Sequence, residues 1–246
     1  MTKLFHIKAV AYEYDSSINK FFRWIKWLIK MNSKKSKNKN LNLIKHPLLQ
    51  ELITVLRDKK TKPADFRKVT SLLATFMGYE VAKKFKTKKV NIETPFEKIA
   101  SPVIAPNILV IAIMRAGNAM LDPILNIFPN AKAGHVGMYR DKYNNNTAVE
   151  YYFKVPENIK GYHVLVVDPL FATGNTIVAT INQLKKYKVG KIDFLTFLSS
   201  TEGIKKLTKA HPDVTINTLS IERELDKNGY LIPGVGDAGD RLYGTK

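Results

Sequence analysis

Residues 163–176 read HVLVVDPLFATGNT. His163 to Val167 is a short aliphatic, β-branched run, the pattern of a strand covered on both faces. Asp168 stands at the carboxyl end of that run, and after a short loop a helical pattern begins near Asn175. The same alternation extends in both directions. ILVIAI (108–113), AKAGHVGMY (131–139), IDFLTFL (192–198) and VTINTL (214–219) are further apolar runs. The helical patterns NAMLDPILNIF, NTIVATINQLKKY and TEGIKKLTKAH separate several of them. Strands alternating with helices imply βαβ units, an α/β class and a parallel sheet flanked by helices. Ahead of the strands, Pro47 opens a helix through Leu48, Leu52, Val55 and Leu56. A second helical spacing follows at Phe66, Val69, Leu73, Phe76 and Val81. Ligands of such sheets gather at the carboxyl ends of the strands, so the loops after the strands carry the chemistry.

The loop Asp168–Thr176 ends on Thr173, Gly174, Asn175 and Thr176 at a predicted helix start. Two hydroxyls, backbone N–H groups and the positive end of a helix dipole suit a monoester phosphate. Asp168 would repel that phosphate and suits hydroxyls instead, such as those of a ribose. The alternative is an ordinary helix N-cap, for which Thr and Asn are equally good. After strand 108–113 comes MRAGNAM, with Arg115, and after strand 131–139 comes MYRDKY, with Arg140. Each arginine alone reads as a surface charge. Two forked guanidiniums at strand ends facing a phosphate cup make a diphosphate pocket. The closing stretch NGYLIPGVGDAGDRLYGTK is glycine-rich, yet Tyr230, Leu231, Ile232 and Tyr243 predict that it is packed, its backbone lying against something flat such as a base. GxxxxGK[ST] does not occur, and the five histidines are scattered, so no metal site built from side chains is expected.

The chain has 246 residues, 45% hydrophobic and 25% charged, with no cysteine and a net charge of +19. The absence of cysteine excludes disulfides and a cysteine nucleophile and agrees with a reducing, cytoplasmic setting. Eleven basic residues against two acids fall within residues 1–45, about half of the excess charge. The other lysines read as solvated helix faces, so no nucleic-acid partner is expected. Residues 1–45 form a basic extension, with a low-complexity, disordered segment at MNSKKSKNKN and a regular domain at 46–246. FFRWIKWLIK (21–30) is too short and too charged to span a bilayer. For residues 1–30 membrane-surface contact, a targeting role and a true start at Met31 stay open, with membrane contact the lesser expectation.

The segments HPLL, LRDK, RAG, GHVGMYRD, EYYFKVPENI, VVDPLFATGNT, EGIKKLTKAHPDV and GYLIPGVGDAGDRLYGTK follow one another as they do in uracil phosphoribosyltransferases. The chain resembles that family from about His46 to Lys246. The resemblance implies a type I phosphoribosyltransferase fold, with a hood over the active site. It also implies transfer of the phosphoribosyl group of 5-phosphoribosyl 1-diphosphate to uracil, giving UMP and diphosphate in pyrimidine salvage. Mg²⁺ would arrive on the diphosphate, the protein would be a homo-oligomer, and GTP would be an effector. By resemblance, Arg115 and Arg140 hold the diphosphate. Asp168, Pro169, Leu170, Phe171, Ala172, Thr173, Gly174, Asn175 and Thr176 form the ribose 5-phosphate loop. Leu231, Gly236, Asp237 and Ala238 read uracil, with Asp237 also near the ribose diphosphate, and Arg115, Asp168 and Asp237 are the catalytic set. The chain departs from the family at Ala112 and Ala119, where proline and glycine are usual, and at Asn175, where glycine is usual. The rival expectation is a catalytically weak homologue that binds RNA and regulates pyrimidine genes.

Overall fold

The computed structural model describes residues 40–141 and 147–245. The extension through Lys39, with the stretch at 21–30, its membrane contact and the start at Met31, lies outside the described residues. The first elements are β1 (Leu41–Leu43), α1 (Pro47–Arg57), α2 (Pro63–Ala82), β2 (Thr87–Glu93) and β3 (Lys98–Ile104). Next come β4 (Ile108–Met114), α3 (Asn118–Ile127), β5 (Lys132–Asp141), β6 (Thr147–Lys154), β7 (His163–Val167) and β8 (Leu170–Phe171). The chain continues through α4 (Asn175–Lys186), β9 (Ile192–Ser200), α5 (Thr201–Ala210) and β10 (Thr215–Glu222). It closes with β11 (Glu224–Leu225), β12 (Leu231–Ile232) and α6 (Ala238–Tyr243).

The five apolar runs are β4, β5, β7, β9 and β10. The main sheet runs β1-β10-β9-β7-β4-β5-β6, with β8 also paired to β9. Every pairing in it is parallel except β5 with β6. The connection at 142–146 is too short for the crossover that a parallel partner needs, so β6 returns antiparallel. Alternation along each strand feeds two cores. Val110, Ala112, Leu165 and Val167 face α1, α2 and α3 through Leu49, Ile53, Leu73, Met77, Met120 and Ile124. Leu109, Ile111, Val164 and Val166 face α4 and α5 through Ile177, Ile181, Leu184, Ile204 and Leu207. Each such buried aliphatic side chain contributes ~1.5–3 kcal/mol. Pro47 stands in the first turn of α1 as expected, with the Leu48 N–H donating to the His46 ring at 3.2 Å.

Besides β6, two features were not expected. Leu41–Leu43 pairs with Ile216–Thr218, so the sheet begins ahead of the boundary placed at His46. Thr87–Glu93 and Lys98–Ile104 form a separate antiparallel hairpin, almost wholly exposed.

The order of the strands places the site. From β4 the chain crosses to β5 on one side, and from β7 it crosses to β9 and β10 on the other. The switch point is therefore the crevice between the carboxyl ends of β4 and β7, where α/β sheets bind ligands.

Candidate active site

Met114 ends β4 and Val167 ends β7, so Arg115 and Asp168 emerge side by side at the switch point. A cavity of about 410 Å³ opens there. Arg115, Asp168, Leu170 and Ala172 line it, together with Leu231, Gly236, Asp237 and Ala238 of the closing segment. The sheet edge and the chain's closing segment thus meet, with β11–β12 and its loops in the place of the expected hood. Gly117 makes the approach of the Arg115 loop possible: a Cβ there would lie 2.4 Å from the Val167 carbonyl oxygen.

The loop after β7 is stitched down on both sides. The Pro169 carbonyl accepts from the N–H groups of Phe197 and Leu198 at 3.0 and 3.2 Å, and β8 pairs with β9. Phe171 turns into the core, 2% exposed. Asp168 accepts from the Leu170 N–H at 3.3 Å, which holds its carboxylate at the strand end. Ser200, the N-cap of α5, accepts from Gly203 N–H at 2.7 Å and donates to the Ala172 carbonyl at 2.5 Å. Gly174 then turns the chain with φ +83°, a conformation that β-carbons disfavour, and α4 starts at Asn175. Thr173, Gly174, Asn175 and Thr176 are therefore at a helix N-terminus, as the cup requires, just outside the main cavity. Lys206 of α5 donates to the Asn175 side-chain oxygen. Arg140 lies near the end of β5, its backbone paired with Ala148.

The closing segment is packed, by partly different residues from those expected. Leu231, Val235, Ala238 and Leu242 are buried, whereas Tyr230 and Tyr243 are 41% and 44% exposed. Tyr230 lines the cavity, and the Tyr243 hydroxyl donates to the Arg115 carbonyl at 3.2 Å. Asp237 caps α6, accepting from Asp240 N–H at 3.0 Å. Arg241 anchors α6 to the end of α1, donating to the carbonyls of Leu56, Asp58 and Val235 and lying 4.4 Å from the Phe66 ring centroid. Burial lowers its pKa, against the raising effect of Asp58. Glu222 anchors the Pro233–Gly234 turn. Its carboxylate accepts from Arg57 at 2.7 and 2.6 Å, from Gly234 N–H at 2.8 Å and from Ser220 at 2.8 Å. Burial pushes this acid up, but the bonds from Arg57, Gly234 and Ser220 and the charge of Arg57 outweigh it, holding it below the ordinary glutamate range.

Four contributors to the site had no individual signal in sequence: Met138, Ser200, Glu222 and Asp240. Met138, near the end of β5, could have been found by asking what else stands at the ends of strands flanking the switch point. The others act through contacts between segments remote in sequence.

A mainly parallel sheet with an acid and an arginine at its switch point and a phosphate-type helix start beside them is the architecture of a phosphoribosyltransferase. The adenine phosphoribosyl transferase of Trypanosoma brucei, solved with AMP, pyrophosphate and ribose-5-phosphate, superposes with a TM-score of 0.52 over 80% of this chain and 88% of its own, at 14% identity. The AQ2163 protein of Aquifex aeolicus superposes with a TM-score of 0.80, 28% identical, over 84% of this chain and 99% of its own. The family model for uracil phosphoribosyltransferase matches residues 43–245, and the chain belongs to that family. Among similar proteins, the uracil phosphoribosyltransferase of Agrobacterium fabrum is 45% identical over 207 residues, covering 84% of this chain and 99% of its own. That of Polaromonas naphthalenivorans is 42% identical over 208 residues, with the same coverage.

Proposed function

We propose that this chain transfers the phosphoribosyl group of 5-phosphoribosyl 1-diphosphate to uracil, giving UMP and diphosphate. The observation that carries the reading is the meeting of Arg115 and Asp168 with Leu231 and Gly236–Ala238 around one cavity at the switch point. Breaking the anomeric C–O bond develops positive charge on the ribose and negative charge on the departing diphosphate. Preorganised cationic groups at the leaving group therefore matter more than a strong base. In this reading Arg115 and Arg140 bind the diphosphate. Asp168 accepts from the ribose hydroxyls, and the turn Thr173–Thr176 receives the 5-phosphate on the N-terminus of α4. Pro169, Leu170, Phe171 and Ala172 give that turn its shape through their bonds to β9 and α5.

Uracil lies against the backbone around Leu231 and Gly236–Ala238. Backbone donors and acceptors there reject cytosine, whose 4-position reverses the pattern, at a cost of ~1–3 kcal/mol for each unpaired buried group. Asp237 completes the catalytic set from the N-cap of α6, on the same cavity as Arg115. Mg²⁺, a hard cation that keeps waters and travels with phosphates, would be carried by the diphosphate rather than held by side chains. Carried there, it would neutralise charge on the leaving group.

Residues 46–246, extended back to Asn40 by β1, carry the activity, and residues 1–39 are dispensable for it. A homo-oligomer, a GTP effector and a cytoplasmic location complete the reading on family resemblance. Among the described residues, no helix is long and apolar enough to cross a membrane. The rival role as an RNA-binding regulator gains nothing from the family assignment. Incubation with labelled uracil, 5-phosphoribosyl 1-diphosphate and Mg²⁺ should yield UMP, and folded protein that yields none would sink the reading.

A further inference from the structure

Arg115 is held by the closing segment at both its side chain and its backbone. Its Nη2 donates to Asp240 Oδ1 at 3.0 Å and its Nη1 approaches the Thr245 hydroxyl at 3.4 Å. Thr245 donates to the same Asp240 oxygen at 2.6 Å, closing a three-membered ring of contacts. The Tyr243 hydroxyl donates to the Arg115 carbonyl at 3.2 Å. Gly239 leaves room for this arrangement, since a Cβ there would lie 3.3 Å from Arg115 Nη2. The Asp240 side chain is 13% exposed and that of Arg115 is 51% exposed, so the acid lies behind the guanidinium, which itself lines the cavity.

An arginine presents five N–H donors in a rigid planar fork. Asp240 and Thr245 engage one edge of that fork, which leaves donors for an anion in the cavity. Holding the edge fixes the plane of the guanidinium before any ligand arrives and reduces the rotamer entropy lost on binding. We propose that Asp240, supported by Thr245, is a positioning residue that preorganises Arg115 for the diphosphate of the substrate. This rests on the reading of Arg115 as a diphosphate ligand. The opposite consequence of the same geometry is a carboxylate that competes with the ligand for the guanidinium, and the two make opposite predictions.

The test is a double-mutant cycle on binding of 5-phosphoribosyl 1-diphosphate with Mg²⁺, without uracil, followed calorimetrically in the full chain. Asp240→Ala should weaken binding about tenfold in the presence of Arg115, and by less than about twofold in an Arg115→Ala background, as coupled neighbours do. In turnover, KM for 5-phosphoribosyl 1-diphosphate should rise while KM for uracil stays within about twofold. Equal factors in both backgrounds, or tighter binding by Asp240→Ala alone, would overturn the proposal. Arg115→Ala binding as well as the unaltered protein would remove the assignment of Arg115 first and the proposal with it. Should Asp240→Ala fail to fold, Thr245→Val and Thr245→Ser carry the test. Serine should retain the affinity and valine lose it, and equal affinities would refute the role.

Discussion

Replacing Glu222 by glutamine keeps the shape of the side chain and changes one oxygen into an amide NH₂. One carboxylate oxygen accepts from Arg57 Nη1 and the Gly234 N–H, the other from Arg57 Nη2 and the Ser220 hydroxyl. Whichever oxygen is lost, the new NH₂ faces donors. The hydroxyl of Ser220 can rotate, but the guanidinium and the backbone N–H cannot accept. Hydrogen bonds to charged groups contribute ~1.5–3 kcal/mol each. The Arg57 side chain is 27% exposed, so water recovers part of the loss. The expected destabilisation at neutral pH is about 3 kcal/mol, out of a typical total of ~5–15 kcal/mol. For a domain of this size it lowers Tm by about 6–12 °C. The folded pKa of Glu222 is depressed, so its contribution is fully present above the unfolded pKa of about 4.3. That contribution is lost as pH falls through the folded value, where wild type and Glu222→Gln should converge. Urea unfolding of both proteins between pH 7 and the acid limit measures this. A glutamine variant as stable as wild type at pH 7, or a gap that does not narrow toward acid, would refute the reasoning. Because Gly234 leads into the uracil wall, KM for uracil should rise in the same variant.

Gly174→Ala places a β-carbon at φ +83° and 3.3 Å from the backbone of Gly203. It should cost about 1–2 kcal/mol in denaturant unfolding and raise KM for 5-phosphoribosyl 1-diphosphate. Unchanged values would show that the turn does not need glycine. Lys206→Ala removes a cation bonded to Asn175 at the mouth of the phosphate cup. KM for 5-phosphoribosyl 1-diphosphate should rise about threefold at low salt and converge on wild type near 1 M, where the screening length is about 3 Å. A salt-independent effect would point to geometry rather than charge. Arg241→Lys should destabilise by about 2 kcal/mol, since one ammonium cannot span three carbonyls on two segments and cover Phe66. A thermal midpoint within about a degree of wild type would contradict that account.

The strands that build the site were legible because both faces are covered, which writes them as unbroken aliphatic runs: HVLVV is β7 residue for residue. The hairpin β2–β3 left no such mark. TKKVNIE and KIASPVI are exposed along nearly their whole length, so burial imposes no alternation on them, and Pro102 argues against a strand. β6 was missed because an antiparallel edge carries tyrosines and a glutamate where a central strand carries valines. At the site, strand-end positions such as Arg115 and Asp168 could be read directly, as could the loop that lays Gly236–Ala238 against them. Glu222 could not: its four donors come from residues 57, 220 and 234, and no local pattern brings them together. Asn175, which departs from the family's glycine, is accommodated at the first turn of α4, where Lys206 bonds its side chain.

The three-residue strand β1 is the outermost member of the main sheet, pairing Leu41, Asn42 and Leu43 with Ile216, Asn217 and Thr218. Its partner β10 is eight residues long, and Ile216, Asn217, Thr218 and Leu219 are at most 1% exposed. A variant beginning at His46 would retain every residue of the proposed site, yet would strip β10 of its cover and leave a bare edge of unpaired N–H and C=O groups. Such an edge is a template for a second chain. The expected symptom is concentration-dependent self-association of an otherwise active protein, so the few residues before His46 govern solubility rather than chemistry.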